Sequence, residues 1–508
     1  MLAVVHSCWV CGVEGKPVRV EVTAARGLPV FTVVGLPAGA VRESKDRVIA
    51  ALAQTGHKLE GIRVTVNLAP ADLPKSGSAF DLPISIGLLT ALQVIDAKVL
   101  SDTGFAGELG LDGSIRPVKG AIALSMGSVA AGMTRLILPV GNVAEAASVP
   151  GIDVEGARSL KELIEVLQGL RDFPAVPMPV TRPPKAVPDL AEVRGQPLGK
   201  RALVVAAAGG HNLILSGPPG AGKTMLARRL PGLLPPLNNS ESLEVTRVHS
   251  VAGLLGENEA AQTIRPFRAP HHTISAGGMI GGGAPPRPGE VSLAHLGVLF
   301  LDELPEFRRT VLETLRQPME VGSVRISRVR YTVRFPSRFQ LIAAMNPCPC
   351  GLGGEGCVCG EADILRYRSR LSGPLLDRID LQLNLRALPW QDLMGSSSGG
   401  LDTSRARAQV VAARAFQQER GGPHGSNAQI RPRDLLVACN VKEDAMALLE
   451  TAANRFRLSA RATHRIMRVG RTVADLDQAR RVEAKHLAEA IQLRTGAEPS
   501  SRHESHRG

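Results

Sequence analysis

The stretch "LILSGPPGAGKTMLARRL", Leu213 to Leu230, decides the fold. Its apolar start has strand character, Gly217 to Thr224 matches G-x-x-x-x-G-K-[ST], and "TMLARRL" opens a helix. Phosphate chemistry needs that order of strand, glycine-rich turn and helix. The turn made by Gly217, Pro218, Pro219, Gly220, Ala221 and Gly222, with the helix N-terminus behind it, supplies backbone amides to cradle phosphates. Lys223 reaches the β- and γ-phosphates and the Thr224 hydroxyl ligates Mg²⁺. The stretch therefore predicts an α/β P-loop domain that binds ATP and Mg²⁺.

Working outward, "GVLFLDELPEF" supplies the second half of the site. Val298 to Leu301 reads as a buried parallel strand ending in Asp302 and Glu303. Asp302 is expected to hold Mg²⁺ through water, and Glu303 to polarise the attacking water as base. A third strand, "RFQLIAAMNP", delivers Asn346 to the same sheet edge, where its amide can orient that water.

Directly after it comes "MNPCPCGLGGEGCVCG", Met345 to Gly360, which holds four of the chain's seven cysteines. Cys348, Cys350, Cys357 and Cys359 form C-x-C-x₆-C-x-C, a closed set of four soft ligands with glycines between the pairs. The first reading is a structural Zn²⁺ bound tetrahedrally by four thiolates. Reduced free thiols and a redox pair are the alternatives. Cys8 and Cys11 are read as core residues, since that spacing in a strand points them to opposite faces.

Composition frames these motifs. With 44% hydrophobic and 21% charged residues the chain belongs to the globular class, and 508 residues divide into several domains. No apolar run is long enough for a membrane span, and the N-terminus lacks the layout of a secretory signal, so a cytoplasmic protein with reduced thiols is expected. The net charge of +13 favours a polyanionic partner through counterion release. Residues 1–170 alternate strand and helix patterns, with "VRVEVTA" and "RVTVNLAP" as strands and "AVRESKDRVIAALAQTG" as a helix. A linker at 171–188 follows, with six prolines in "RDFPAVPMPVTRPPKAVPDL". The P-loop domain spans 189–390, "GSSSGG" marks a flexible joint within 391–405, a small helical domain covers 406–496, and 497–508 reads as a disordered tail.

"VGSVRISRVRYTVRF" reads as a hairpin that carries Arg325, Arg328 and Arg330 toward its tip. Arginines there would grip phosphates without reading sequence. Arg268, His271 and His272 in "RPFRAPHHTIS" are further candidates for DNA contact. With few aromatics nearby, backbone tracking is a better expectation than base stacking.

Asn346 beside the two Walker motifs resembles the first sensor of AAA+ ATPases. "EVRGQPLGKRAL", "RPFRAPHHTISAGGMIGGG", "LRQPMEVGSVRIS", "AAMNPCPCG" and "RYRSRLSGPLLDRIDL" together resemble the ComM/YifB family of magnesium-chelatase-like AAA+ ATPases over nearly the whole chain. The resemblance implies a hexameric ring and ATP-driven work on single-stranded or branched DNA, with branch migration during natural transformation as one setting. It further implies that Arg378 in "LLDRIDL" is the arginine finger, that Arg461 in "LSARATHR" is the second sensor on a helical lid, that the arginine hairpin projects into the ring's pore, and that "RPFRAPHHTIS" lies in an insert of the second core helix. Residues 1–170 resemble the S5-type fold of the Lon protease domain, but the positions of the Ser–Lys dyad hold Ala79 and Ile122. Ser76, Ser78 and Lys75 lie nearby, yet a shifted dyad needs rebuilt geometry, so a scaffold rather than a peptidase is expected. A metal-chelatase motor subunit and a MoxR-like chaperone, both remodelling protein partners, are the competing readings. DNA-stimulated ATP hydrolysis separates them from a DNA motor.

Overall fold

A computed structural model describes residues 2–36, 39–71, 75, 77–175, 187–328, 331–354, 356–389, 401–421 and 425–495. Most of the proline-rich linker, the "GSSSGG" joint, the tail, Ser76 and Arg330 lie outside these residues.

The N-terminal region is built on a seven-stranded sheet. Its longest strands, Leu2–Cys11 and Glu14–Arg26, form an antiparallel hairpin that extends to Ile62–Ala69. Val18, Val20 and Val22 point inward while Arg19 and Thr23 stay exposed, the period-two alternation of a sheet with one covered face. Val30–Val34 forms one edge and Asp153–Ala157 the other. The helix Asp81–Ala91 is buried along its whole length and fills the core beneath the sheet. Cys8 is buried in a separate small core with Leu124 and Leu136, and its thiol is pushed up to about 11 by loss of water, as suits a core residue.

The central region carries a five-stranded parallel sheet in the order Phe267–Arg268, Val298–Leu301, Gln340–Met345, Leu213–Ser216, Leu381–Asn384. Both faces are covered, which is why the middle strands read as continuous apolar runs. Leu213, Leu215, Val298, Phe300, Ile342 and Ala344 enter a core shared with the helix Pro197–Gly209 and the C-terminal helices. Ile214, Leu299, Leu301, Leu341 and Ala343 enter a second core on the opposite face. The C-terminal region opens with the helix Thr403–Glu419, capped where Asp402 Oδ1 accepts from Arg405 N at 2.7 Å. That helix starts inside the span expected to be linker, because the aspartate supplies a cap three residues before Arg405.

The first two regions are packed together. The hairpin turn at Gly12 and Val13 seats Val13 in the second core beside Val324, Ile326, Val333 and Phe335. A Cβ on Gly12 would lie 3.1 Å from Val333 Cβ. Ser250 donates to the buried Glu145 carboxylate, which also accepts from Ile122 N at 3.1 Å. Burial raises the Glu145 pKa against those hydrogen bonds.

Candidate nucleotide site and its surroundings

Strand register assembles the site. Ser216 lies opposite Met345, so the P-loop and Asn346 leave the sheet side by side, and Leu301 lies opposite Ala343, so Asp302 leaves beside them. The turn needs glycine at several points. Gly220 and Gly222 adopt φ of +78° and +86°, and the space a Cβ would fill is clear of other atoms, which lets a phosphate approach the backbone. At Gly217 a Cβ would stand 2.6 Å from Leu385 O.

Lys223 Nζ donates to Gly217 O at 2.5 Å, Pro218 O at 2.9 Å and Asn346 Oδ1 at 3.1 Å. Partial burial pulls its pKa down, opposed by the Asp302 charge. Thr224 Oγ1 donates to Asp302 Oδ2 at 2.8 Å, and Glu303 N donates to Asp302 Oδ1 at 3.0 Å. The two oxygen ligands expected for Mg²⁺ are thus already converged, and the ammonium stands on the loop beside the Asn346 amide. This donor set fits a Mg²⁺-bound triphosphate: the cation and amides take phosphate oxygens, and the hydroxyl and carboxylate take the metal. Glu303 holds φ +51°, a left-handed conformation uncommon outside glycine, and its side chain is 59% exposed.

Arg378 and Arg461 stand apart from this cluster; among the described residues no hydrogen bond or ion pair joins them to it. Arg378 donates to Pro374 O at 2.5 Å and pairs with Glu320, just before the arginine hairpin. Arg461 is exposed on the first turn of the helix Ala460–Leu476. One turn on, Arg465 Nη1 reaches Asp380 Oδ1 at 2.5 Å, and Asn212 N donates to Asp380 Oδ2 at 3.1 Å. Asp380 is 2% exposed. Burial works against its charge, yet His211 and Arg465 hold its pKa well below the usual carboxylate range. This pin ties the lid helix to the end of a core strand, and its signal in the sequence is only the acid in "DRIDL".

The four loop cysteines come together. Their Sγ atoms lie within 4.8 Å of one another, with Cys348–Cys350 at 3.3 Å, Cys348–Cys357 at 3.5 Å and Cys350–Cys357 at 3.7 Å. Bonds of about 2.3 Å to tetrahedral Zn²⁺ require sulfur separations of about 3.8 Å, so the set fits that ion. Backbone N–H groups of Leu352 and Val358, with Cys348, lower the Cys350 pKa to about 6, which favours thiolate. Sequence reasoning did not foresee where the loop leans. A Cβ on Gly351 would sit 3.1 Å from Pro219 Cγ and 3.7 Å from Asn346 Nδ2, so the cysteine loop packs on both the P-loop and Asn346.

The expected DNA contacts divide. Arg325 and Arg328 are exposed on the hairpin Ser323–Arg328/Tyr331–Pro336. Arg325 lies directly opposite Arg334, a like-charged pair that costs stability unless an anion joins it. Arg330 lies outside the described residues. His271 is exposed and its Nδ1 lies 2.9 Å from Thr273 Oγ1. Arg268 and His272 are committed inward instead. Arg268 makes two 2.7 Å bonds to Glu290, and His272 Nδ1 stands 3.5 Å from Glu303 Oε2. In the N-terminal region Lys75 donates to the carbonyls of Gly35 and Pro70, and Ser78 to Glu108. Ala79 is partly buried and Ile122 fully buried at the dyad positions.

Comparison with known proteins gives three family matches. Residues 189–393 match the magnesium chelatase subunit ChlI model, 20–142 a second model for ChlI of Mg-chelatase, and 400–494 the ChlI C-terminal model. The chain is 43% identical to the YifB protein of Salmonella typhimurium over 497 residues, covering 97% of each. It is also 43% identical to the competence protein ComM of Haemophilus influenzae over 500 residues, again 97% of each. A Lon protease of Trichlorobacter lovleyi is 24% identical over 186 residues, 35% of this chain and 22% of that one. Among the described residues no helix is long and apolar enough to cross a membrane.

Proposed function

The chain belongs to the ComM/YifB family of magnesium-chelatase-like AAA+ ATPases, and from that premise we propose that it is a cytoplasmic DNA motor acting on recombination intermediates. The convergence of Lys223, Thr224, Asp302 and Asn346 at one sheet edge is the observation that carries the ATPase part. In this reading Lys223 and the P-loop bind ATP, Thr224 and Asp302 hold Mg²⁺, Glu303 activates water, and Asn346 orients it. Arg378 reaches the γ-phosphate of the next subunit in a hexameric ring, and Arg461 senses it from the lid. Both stand clear of their own chain's Walker residues; that suits a finger delivered in trans and a lid sensor that closes on bound nucleotide.

The DNA part is supported by exposed Arg325 and Arg328 on a hairpin rooted in the core under the ATPase sheet, and by the net charge of +13. A competence protein among the close relatives favours natural transformation as a setting. The cysteine loop holds a structural Zn²⁺ that fixes the backbone between the first sensor and the finger. The experiment is ATP hydrolysis by the full chain without DNA, with duplex and with a four-way junction, at two salt concentrations. Stimulation greatest with the junction and weakening with salt is expected; no stimulation by any DNA moves the assignment to a protein-remodelling chelatase or chaperone.

A further inference from the structure

The chain leaves the central sheet at Asn346, makes the cysteine loop, and comes back to the same place. The helix Glu361–Arg368 returns Tyr367 to the strand end, where its ring is 7% exposed and joins the core that holds Met345, Leu304 and Phe307. Burial raises the phenol's pKa and the Glu306 charge adds to it, while a hydrogen bond from Asn346 N–H opposes them. The hydroxyl therefore stays protonated at neutral pH and accepts from the main chain of the residue at which the excursion began.

A second contact runs from the same ring to the Walker strand. The Arg370 guanidinium carbon lies 5.9 Å from the centre of the Tyr367 ring. Arg370 Nη1 donates to both oxygens of Glu306, at 3.0 and 3.1 Å, and to Pro305 O at 3.3 Å. Glu306 N in turn donates to Glu303 O at 2.8 Å, which closes the turn after Asp302. The ladder between the two strands ends at the Leu301–Ala343 rung, short of both Asn346 and this turn. Tyr367 and Arg370 span the gap beyond it.

We propose that Tyr367 and Arg370 are positioning residues that together brace the Asn346 main chain against the Glu306 turn, and so fix the spacing between the Asn346 amide and the Glu303 carboxylate. The proposal rests on the reading of those two groups as the pair that handles the attacking water. The brace acts on alignment rather than on nucleotide affinity. Alignment is steep, since a misplacement of about 1 Å is worth about a hundred-fold in rate.

The test uses the full chain with Tyr367→Phe, which removes the hydroxyl and keeps the ring beside Arg370, with Arg370→Gln, which takes the charge from Glu306, and with the double variant. Steady-state kcat and KM for ATP are measured alongside the melting midpoint. Each single variant should lower kcat about five-fold, the scale of one hydrogen bond, with KM within about two-fold and the midpoint within about 4 °C of the parent. Because the two residues act in series, the double variant should fall no further than the slower single one, whereas independent effects would multiply to about twenty-five-fold. A kcat for Tyr367→Phe within about two-fold of the parent overturns the proposal, and so does a KM that rises as kcat falls, or a double variant in which the losses multiply. A parent that hydrolyses no ATP refutes the reading of the site itself. Turnover in the parent that the variants leave unmoved refutes the brace alone.

Discussion

Replacing Asp380 with asparagine removes a charge and leaves the shape. In the parent the carboxylate takes Arg465 on one oxygen at 2.5 Å and Asn212 N on the other at 3.1 Å, with His211 Nδ1 3.5 Å away. The amide keeps one acceptor and turns two N–H groups toward these donors, while Arg465, 17% exposed at its side chain, loses its countercharge. Breaking a buried pair from one side costs about 3–5 kcal/mol. At roughly 2 °C per kcal/mol for a protein of this size, the melting midpoint should drop by roughly 6–10 °C. The pH dependence has a definite sign. A carboxylate whose folded pKa is depressed stabilises the protein above its unfolded pKa of about 3.9, and that contribution is lost as pH falls toward the folded value. Melts followed by circular dichroism should therefore show a constant gap between parent and Asp380→Asn from about pH 5 to 8, closing below about pH 4. Because Arg461 sits four residues before Arg465 on the same helix face, the variant should also raise KM for ATP. A midpoint within about 2 °C of the parent at neutral pH, or a gap that persists undiminished to about pH 3, would refute this account of the pin.

Lys223→Ala should cut ATP turnover by about two orders of magnitude, since it removes the ammonium that stands on the P-loop carbonyls; retention of full ATPase activity would sink the assignment. Arg378→Ala should leave nucleotide binding intact while hydrolysis falls by about 10³, and lost binding would mean that another arginine is the finger. Cys357→Ser should lower zinc from one equivalent per chain to none by elemental analysis and reduce the melting midpoint, whereas zinc-free parent protein would leave the loop as reduced thiols. Arg325→Ala and Arg328→Ala should each weaken DNA binding for all sequences alike and lower the slope of log affinity against log salt by about one; an unchanged slope would remove the hairpin from the DNA path.

The nucleotide site was legible because its residues sit at strand ends. Once Leu213–Ser216, Val298–Leu301 and Gln340–Met345 are recognised as neighbouring parallel strands, Lys223, Asp302 and Asn346 have nowhere to go but one edge. The cysteine cluster was legible for a similar reason, with all four ligands in one short loop. Charge without a partner was less informative. Arg268 read as a phosphate contact, but Glu290, 22 residues on, takes its guanidinium, and a pairing across an irregular insert leaves no periodic trace. His272 likewise read as a candidate DNA contact, while its neighbour Glu303 depends on how that insert folds back on the Walker strand. The lean of Gly351 on Pro219 depends on a φ of +87°, which the glycine permits and the sequence does not dictate.

The seat of Gly12 against Val333 turns the hairpin into a short cantilever. Its strands are clamped at the Ile326–Val333 rung between the N-terminal sheet and the ATPase core, and among the described residues two further rungs, Ser327–Thr332 and Arg328–Tyr331, overhang, about 7 Å of ladder. The stiffness of a beam rises with the inverse cube of its free length, so removing the clamp and doubling the overhang would soften the tip about eight-fold. The N-terminal sheet thus braces the base of the hairpin, so that load at its tip passes into the ATPase core rather than being lost in bending.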